Sequence, residues 1–232
     1  MIPLYDDIPS RRFPIVNYTL ILLNVLVFVW EVSLGPEIEV AVRALGLVPA
    51  KFLQSSGLER WLPLFTSMFL HGGVWHLVSN MLALWIFGDN VEDRMGHLRY
   101  LVFYLLSGVI AGLTHVFFNP LSPIPTVGAS GAISGVLAAY LVLFPRASVY
   151  TLIPIFLFWV EVVRIPAVIY LGLWFLSQLM NGAFALVAAR TVQSMGGVAW
   201  WAHIGGFVAG LVLVWFFRRP EPRRYVDEYW PW

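Results

Sequence analysis

The chain has 232 residues, of which 59% are hydrophobic and only 12% charged. A soluble domain carries about 25% charged residues, so a hydrated globular surface is excluded and lipid is the expected solvent. A net charge of +1 gives no electrostatic basis for binding nucleic acid, and the absence of cysteine excludes disulfides, thiolate metal sites and a cysteine nucleophile.

In chain order, residues 1–13 read as a short polar segment. The first apolar run follows at about 14–34. Only Arg11 and Arg12 flank it, and Glu31 and Pro36 stand where a small-residue cleavage site would be, so it reads as a retained helix. Residues 35–71 contain charges, Trp61 and short apolar pieces, too broken for a span. With roughly 20 apolar residues as the crossing length, further spans are expected at about 74–88, 98–118, 130–144, 165–189 and 199–217. The turn-rich NPLSPIPTVGA precedes the fourth. The apolar stretch at 150–164, broken by Pro154 and Glu161, reads as an interfacial hairpin. The predicted fold is therefore an all-α polytopic membrane protein with six transmembrane helices over 14–217. The RRPEPRR run opens a solvated tail at 218–232. Ten Lys and Arg residues fall on one side and four (Arg43, Lys51, Arg60, Arg190) on the other, which predicts that both termini are cytoplasmic.

Polar residues inside spans are costly, and each is a candidate for function. His76 and Asn80 lie on the second span, Ser130 opens the fourth, and His203 lies on the sixth. Counted from the cytoplasmic ends at about 1.5 Å per residue, Ser130, His203 and His76 lie roughly 24, 22 and 20 Å up. Asn80 is one turn lower. Taken singly, each has an ordinary explanation in helix packing or interhelical hydrogen bonding. Together they put a weak nucleophile beside the usual base, at a helix N-terminus whose free N–H groups suit a developing oxyanion. His76 and Asn80 share a helix face and offer side-chain donors there. Gly131 with Gly135, and Gly206 with Gly210, are small-xxx-small pairs that let two helices approach closely. Gly128 and Gly131 clear side chains from around the serine. His97 reads as solvated, His115 as unpaired, Gln178 and Asn181 as interhelical glue or the lining of a substrate entry, and Trp200, Trp201 and Trp230 as interfacial anchors.

GASG (128–131), HLVSN (76–80), AHIGGFVAG (202–210) and VEDRMG (91–96) occur in an order that resembles the rhomboid family of intramembrane proteases. The resemblance implies a Ser130–His203 dyad without an acidic third member, opening to the outer side of the cell membrane. It also implies an oxyanion site from the Ser130 backbone with His76 and Asn80. Glu92 and Arg94 match a pair that braces the turn after helix two, and His71 matches a structural or water-holding histidine near the mouth. The implied activity is hydrolysis of peptide bonds in or near transmembrane segments of membrane proteins, with no cofactor or metal. The alternative is a rhomboid-like factor that grips membrane helices without cutting, against which the presence of both Ser130 and His203 argues. A transporter would show paired halves and broken helices, and the sequence has neither signature. One position departs from the family. Four residues after the nucleophile some members carry an aromatic that packs on the histidine, whereas this chain has Ser134, which leaves the support of the His203 ring open.

Overall fold

The computed structural model describes residues 2–156, 159–188 and 198–220. Trp230, Arg190 and the tail beyond residue 220 lie outside the described residues, as does most of the loop before Ala199.

The expected helical membrane bundle is present. A short strand, β1 (Ile2–Asp6), leads into α1 (Ile15–Ser33). The broken stretch that follows folds into small helices, chiefly α2 (Ile38–Leu45), α3 (Pro49–Gln54) and α4 (Pro63–Thr66). The second span is one run in three pieces: α5 (Val74–Ala83), a π-helical segment Leu84–Gly88, and α6 (Asp89–Met95). Then come α7 (His97–Phe118), α8 (Ser130–Leu143), a hairpin of β2 (Ser148–Phe156) and β3 (Trp159–Pro166), α9 (Ala167–Ala188) and α10 (Trp200–Phe217). By length and composition α1, α7, α9 and α10 suffice to cross a bilayer. Helix α8 has 14 residues, about 21 Å, so it is shorter than the hydrocarbon layer.

The predicted hairpin at 150–164 forms, and the N-terminal segment adds a third strand to it. β1 pairs antiparallel with β2, Asp6 opposite Val149. One sheet thus joins the segment before α1 to the segment between α8 and α9, so both lie at the same end of the bundle.

Helix α8 is the central element: every residue from Gly131 to Tyr140 is buried. Its glycines explain how α10 reaches it. A methyl group at Gly206 would collide with the backbone carbonyl of Gly131, and one at Gly210 with that of Gly135. The two backbones are therefore in direct contact, as small-xxx-small pairing requires. α7 also packs closely on α8, here with each glycine facing an alanine methyl: Gly108 against Ala132 and Gly131 against Ala111.

The π-helical segment is held from α1. Asn17, fully buried, donates from Nδ2 to the Leu84 carbonyl at 2.8 Å and accepts the Tyr100 hydroxyl at 2.9 Å. A side chain thus serves a carbonyl at a break in the regular ladder, the arrangement by which irregular helix is tolerated at membrane depth.

Glu92 acts at the same end. Its carboxylate accepts the backbone N–H groups of Val16 (3.0 Å) and Asn17 (2.7 Å), which caps the start of α1 with a negative charge. It also meets His97 Nδ1 at 2.5 Å. His97 is therefore not merely solvated: the turn at Gly96, with φ of 81°, folds its ring back onto Glu92. Arg94 places its guanidinium over the Phe144 ring, and its carbonyl accepts the Arg219 N–H at 2.9 Å. The Glu92–Arg94 segment so ties α6 to the starts of α1 and α7 and the ends of α8 and α10.

Two outcomes follow from this packing. Gly206→Ala should destabilise the protein by about 1–3 kcal/mol, because backbone must move to admit the methyl group. Gly172→Ala in α9, where a methyl would meet nothing within 4 Å, should be neutral, and thermal melting in detergent distinguishes the two.

The second outcome concerns Asp6. Its carboxylate accepts the Tyr140 hydroxyl and Asn90 Nδ2, the latter at 3.0 Å. Burial pushes its pKa up to about 7; the Tyr140 bond opposes this, and Asp89 and Asp7 add to it. An unfolded Asp titrates near 3.9, so the docked strand binds the extra proton. Its docking is then most stable below about pH 4 and weakens as pH rises through about 7. Amide exchange of β1, corrected for intrinsic rates, should be better protected at pH 6 than at pH 8.5, and Asp6→Asn should flatten that difference.

Candidate active site

Helix α8 begins at Ser130, so the serine stands at the end of the central helix with the free N–H groups of the first turn around it. His203 lies one turn before Gly206 on α10, on the face that touches α8. The glycine contact brings the two side chains together. Ser130 Oγ and His203 Nε2 are 2.7 Å apart. His203 is almost fully buried.

The segment ahead of Ser130 is shaped to leave room. Gly128 has a φ of 126°, a conformation L side chains rarely adopt, and its N–H donates to the Ser67 carbonyl at 2.8 Å. The His76 ring covers it: a Cβ at Gly128 would lie 2.7 Å from His76 Nε2 and Cε1, and 3.6 Å from Ser130 Oγ. The far nitrogen, His76 Nδ1, accepts the Gly72 N–H at 3.2 Å. A neutral imidazole accepting at Nδ1 carries its proton on Nε2, so His76 presents a donor beside the serine.

Asn80 is one turn further along α5, and its Nδ2 donates to the His76 carbonyl at 2.7 Å. That bond serves the helix backbone. The structure thus gathers Ser130, His203, His76 and Gly128, and holds Asn80 against the His76 carbonyl.

His71 lies beside His76, ring centroids 5.1 Å apart. Its backbone N–H donates to both oxygens of Glu31 at 3.2 and 3.0 Å, from the buried last turn of α1. Burial, then the neighbouring His76, lowers the His71 pKa to about 4, so its ring is neutral at physiological pH. Glu31 was visible in the sequence only as a charge ending a span.

Three further contacts bear on the departure at position 134. Ser134 Oγ donates to the Ser130 carbonyl at 2.6 Å and supports the serine's turn rather than the histidine. The His203 ring meets α9 instead: its Nδ1 is 2.8 Å from Gln178 Oε1, and the Trp174 ring lies 6.0 Å away, centroid to centroid. Asn181, also on α9, donates back to the Ser177 carbonyl and is exposed. Trp201 stacks on Phe118 at 3.7 Å near this end of the bundle. His115, expected to be unpaired, lies 3.4 Å from Asn119 Nδ2.

Beside Ser130 lies a small cavity of about 30 Å³, bordered by Ser67, Thr126, Gly128, Ser130 and Gly131. That is room for a water molecule, and the hydroxyls and backbone supply polar partners. Among the described residues no group of three or more His, Asp or Glu side chains could hold a metal ion.

The Rhomboid domain profile matches residues 58–220. Among curated proteins the chain is 30% identical over 173 residues to "Rhomboid protein 1, mitochondrial" of Saccharomyces cerevisiae, covering 72% of this chain and 45% of that protein. It is 37% identical over 129 residues to "Rhomboid protease GluP" of Bacillus subtilis, covering 55% of this chain and 24% of that one. It is also 37% identical over 176 residues to "Presenilin-associated rhomboid-like protein A, mitochondrial" of Danio rerio, covering 69% and 40% respectively. The chain thus spans less than half the length of these relatives. The profile nevertheless reaches from before α4 to beyond α10, a range that holds every side chain of the site except Glu31, and covers well over half of the sequence: the chain belongs to the rhomboid family.

Proposed function

We propose that this membrane protein is a serine endopeptidase that hydrolyses peptide bonds in or beside transmembrane segments of its substrates, with Ser130 as nucleophile and His203 as base. The observation that carries this reading is the 2.7 Å hydrogen bond between Ser130 Oγ and His203 Nε2 at the N-terminus of a buried helix.

The chemistry follows from the surroundings. As Ser130 Oγ bonds to the scissile carbonyl carbon, its proton passes to His203 Nε2. The carbonyl oxygen becomes an oxyanion, for which the Ser130 backbone N–H, His76 Nε2–H and the Asn80 amide are the available donors. Collapse expels the amine, which takes the proton from His203. A water from the cavity beside Ser130 then attacks the acyl-enzyme, with His203 again as base. Because an intact helix hides its carbonyls, a substrate must unwind locally, so small or helix-breaking residues are expected near the cut.

We further assign residues 14–217 as the membrane domain, with 1–13 and 218–232 at the cytoplasmic side of the cell membrane and the Ser130 end opening outward. The Lys and Arg asymmetry supports this orientation, and the pairing of β1 with β2 requires an even number of crossings between them.

Ser130→Ala should abolish cleavage of a model transmembrane substrate while leaving the melting temperature near wild type. His203→Ala should also stop a fluorophosphonate from labelling Ser130. A folded Ser130→Ala with wild-type turnover, or label mapped to another serine, would overturn the mechanism. A wild-type protein that binds transmembrane helices and never cuts them would favour the gripping factor instead.

Orientation is tested with single cysteines in this cysteine-free chain. In intact cells a membrane-impermeant maleimide should label Ser122→Cys but reach Arg146→Cys only after lysis. The reverse pattern would put the site on the cytoplasmic face.

A further inference from the structure

A histidine bonded to a serine is a base only in one of its two neutral tautomers. If Nε2 carries the proton, the imidazole donates to Ser130 Oγ and cannot take its hydrogen. Something must fix the proton on Nδ1. In many serine hydrolases a carboxylate does so, but no carboxylate contacts His203 among the described residues. The group that faces Nδ1 is an amide, Gln178 on α9.

An amide has two ends, and which end faces the ring decides the tautomer. The neighbours of Gln178 settle its orientation. Nε2 lies 3.3 Å from the Trp174 carbonyl, an acceptor with no proton to give, and 2.9 Å from Ser177 Oγ. Ser177 Oγ in turn donates to the same Trp174 carbonyl at 2.6 Å, so its lone pairs are left to accept from Nε2. The NH₂ end of Gln178 therefore belongs to its own helix, and Oε1 is the end that meets His203 Nδ1 at 2.8 Å. An oxygen there accepts, so Nδ1 must donate. That leaves Nε2 unprotonated towards Ser130. Gln178 is itself 5% exposed, so water does not compete for this bond.

We infer that Gln178 is a positioning residue that holds His203 in the Nδ1–H tautomer, giving a Ser130–His203–Gln178 relay in which a neutral amide stands where other serine hydrolases place an acid. This rests on the protease reading above. The amide suits its surroundings: a carboxylate buried at this depth in a membrane domain would be costly, whereas an amide acceptor carries no charge. Its effect grows along the reaction. When Nε2 receives the Ser130 proton the ring becomes a cation, and a hydrogen bond from a charged donor is about twice as strong as one from a neutral donor. Gln178 thus favours the charged intermediate over the resting state. It also answers the departure at Ser134: the ring is supported by a hydrogen bond from α9 rather than by an aromatic on α8.

The test uses the full chain in detergent with Gln178→Met, which keeps shape and removes the acceptor, and Gln178→Glu, which restores one. Gln178→Met should lower kcat and the rate of fluorophosphonate labelling by about ten-fold to a hundred-fold, the range for a hydrogen bond to a charged group, with KM and melting temperature held. Gln178→Glu should recover most of the loss and move the acidic limb of the pH profile to higher pH, because a carboxylate favours the protonated ring. Wild-type labelling by Gln178→Met would overturn the assignment, as would equal losses in both variants accompanied by equal falls in melting temperature. A readout independent of activity separates this inference from the protease reading. The ¹⁵N signals of His203, identified by their loss in His203→Phe, should report a proton on Nδ1 in the wild type and a mixture in Gln178→Met. A wild-type proton on Nε2 would overturn the inference even if the protein cuts. A proton on Nδ1 in a protein that neither cuts nor takes label would overturn the protease reading and leave the tautomer assignment standing.

Discussion

The site depends on one contact, the meeting of the α8 and α10 backbones at Gly131 with Gly206 and Gly135 with Gly210. In lipid there is no hydrophobic gain from pressing two apolar helices together, so association comes from close packing and hydrogen bonds. Glycine lets the backbones touch, and touching backbones leave little freedom to slide or rotate. Ser130 is adjacent to the first of these glycines and His203 is one turn from its partner. A functional distance is thereby inherited from a packing distance. Side chains at the crossing would separate the helices before they separated anything else.

Around that crossing, buried polar side chains act as brackets for backbone that the helices leave unserved. Asn17 holds the carbonyl of Leu84, Glu92 caps the first turn of α1, and Glu31 gathers the N–H of His71. All three involve α1, a helix that contributes nothing directly to the Ser130–His203 pair. Through Glu31 and His71 it nonetheless fixes the loop whose next residue, Gly72, orients the His76 ring. The donor that faces Ser130 is thus set by a chain of contacts starting in the first span.

Much of this was legible in the sequence. Apolar run lengths located five of the six helices to within two residues, and the helix-rise arithmetic brought Ser130, His203 and His76 to one layer. The second was expected to end at 88, where the polar sequence begins, but continues through α6 to Met95. What hydropathy cannot report is azimuth: which way a polar side chain points around its helix. Gln178 was visible as a polar residue on the fifth span, yet nothing local distinguishes interhelical glue from a partner of His203. Asn17 and Glu31 were equally silent, because the groups they serve lie far along the chain. His97 was misjudged for a different reason. Its environment depends on a turn at Gly96, and the five residues separating it from Glu92 do not look like a helical contact spacing. β1 was missed because a five-residue strand carries little periodicity, and its partner lies some 145 residues later.

That separation gives the sheet a place in time as well as in space. At about 5–20 residues per second, synthesis from Asp6 to the start of β2 takes on the order of ten seconds. Throughout that interval the first strand has no second strand to bond, and for nearly all of it Asp6 lacks Tyr140. A strand made before its partners is therefore among the last elements to find its seat, and it can do so only after the four spans between β1 and β2 have been threaded. When β1 closes onto the hairpin, it registers that the first part of the chain has crossed the membrane the right number of times. A chain with a skipped or extra crossing would strand β1 on the wrong side, with its edge unpaired and open to proteolysis.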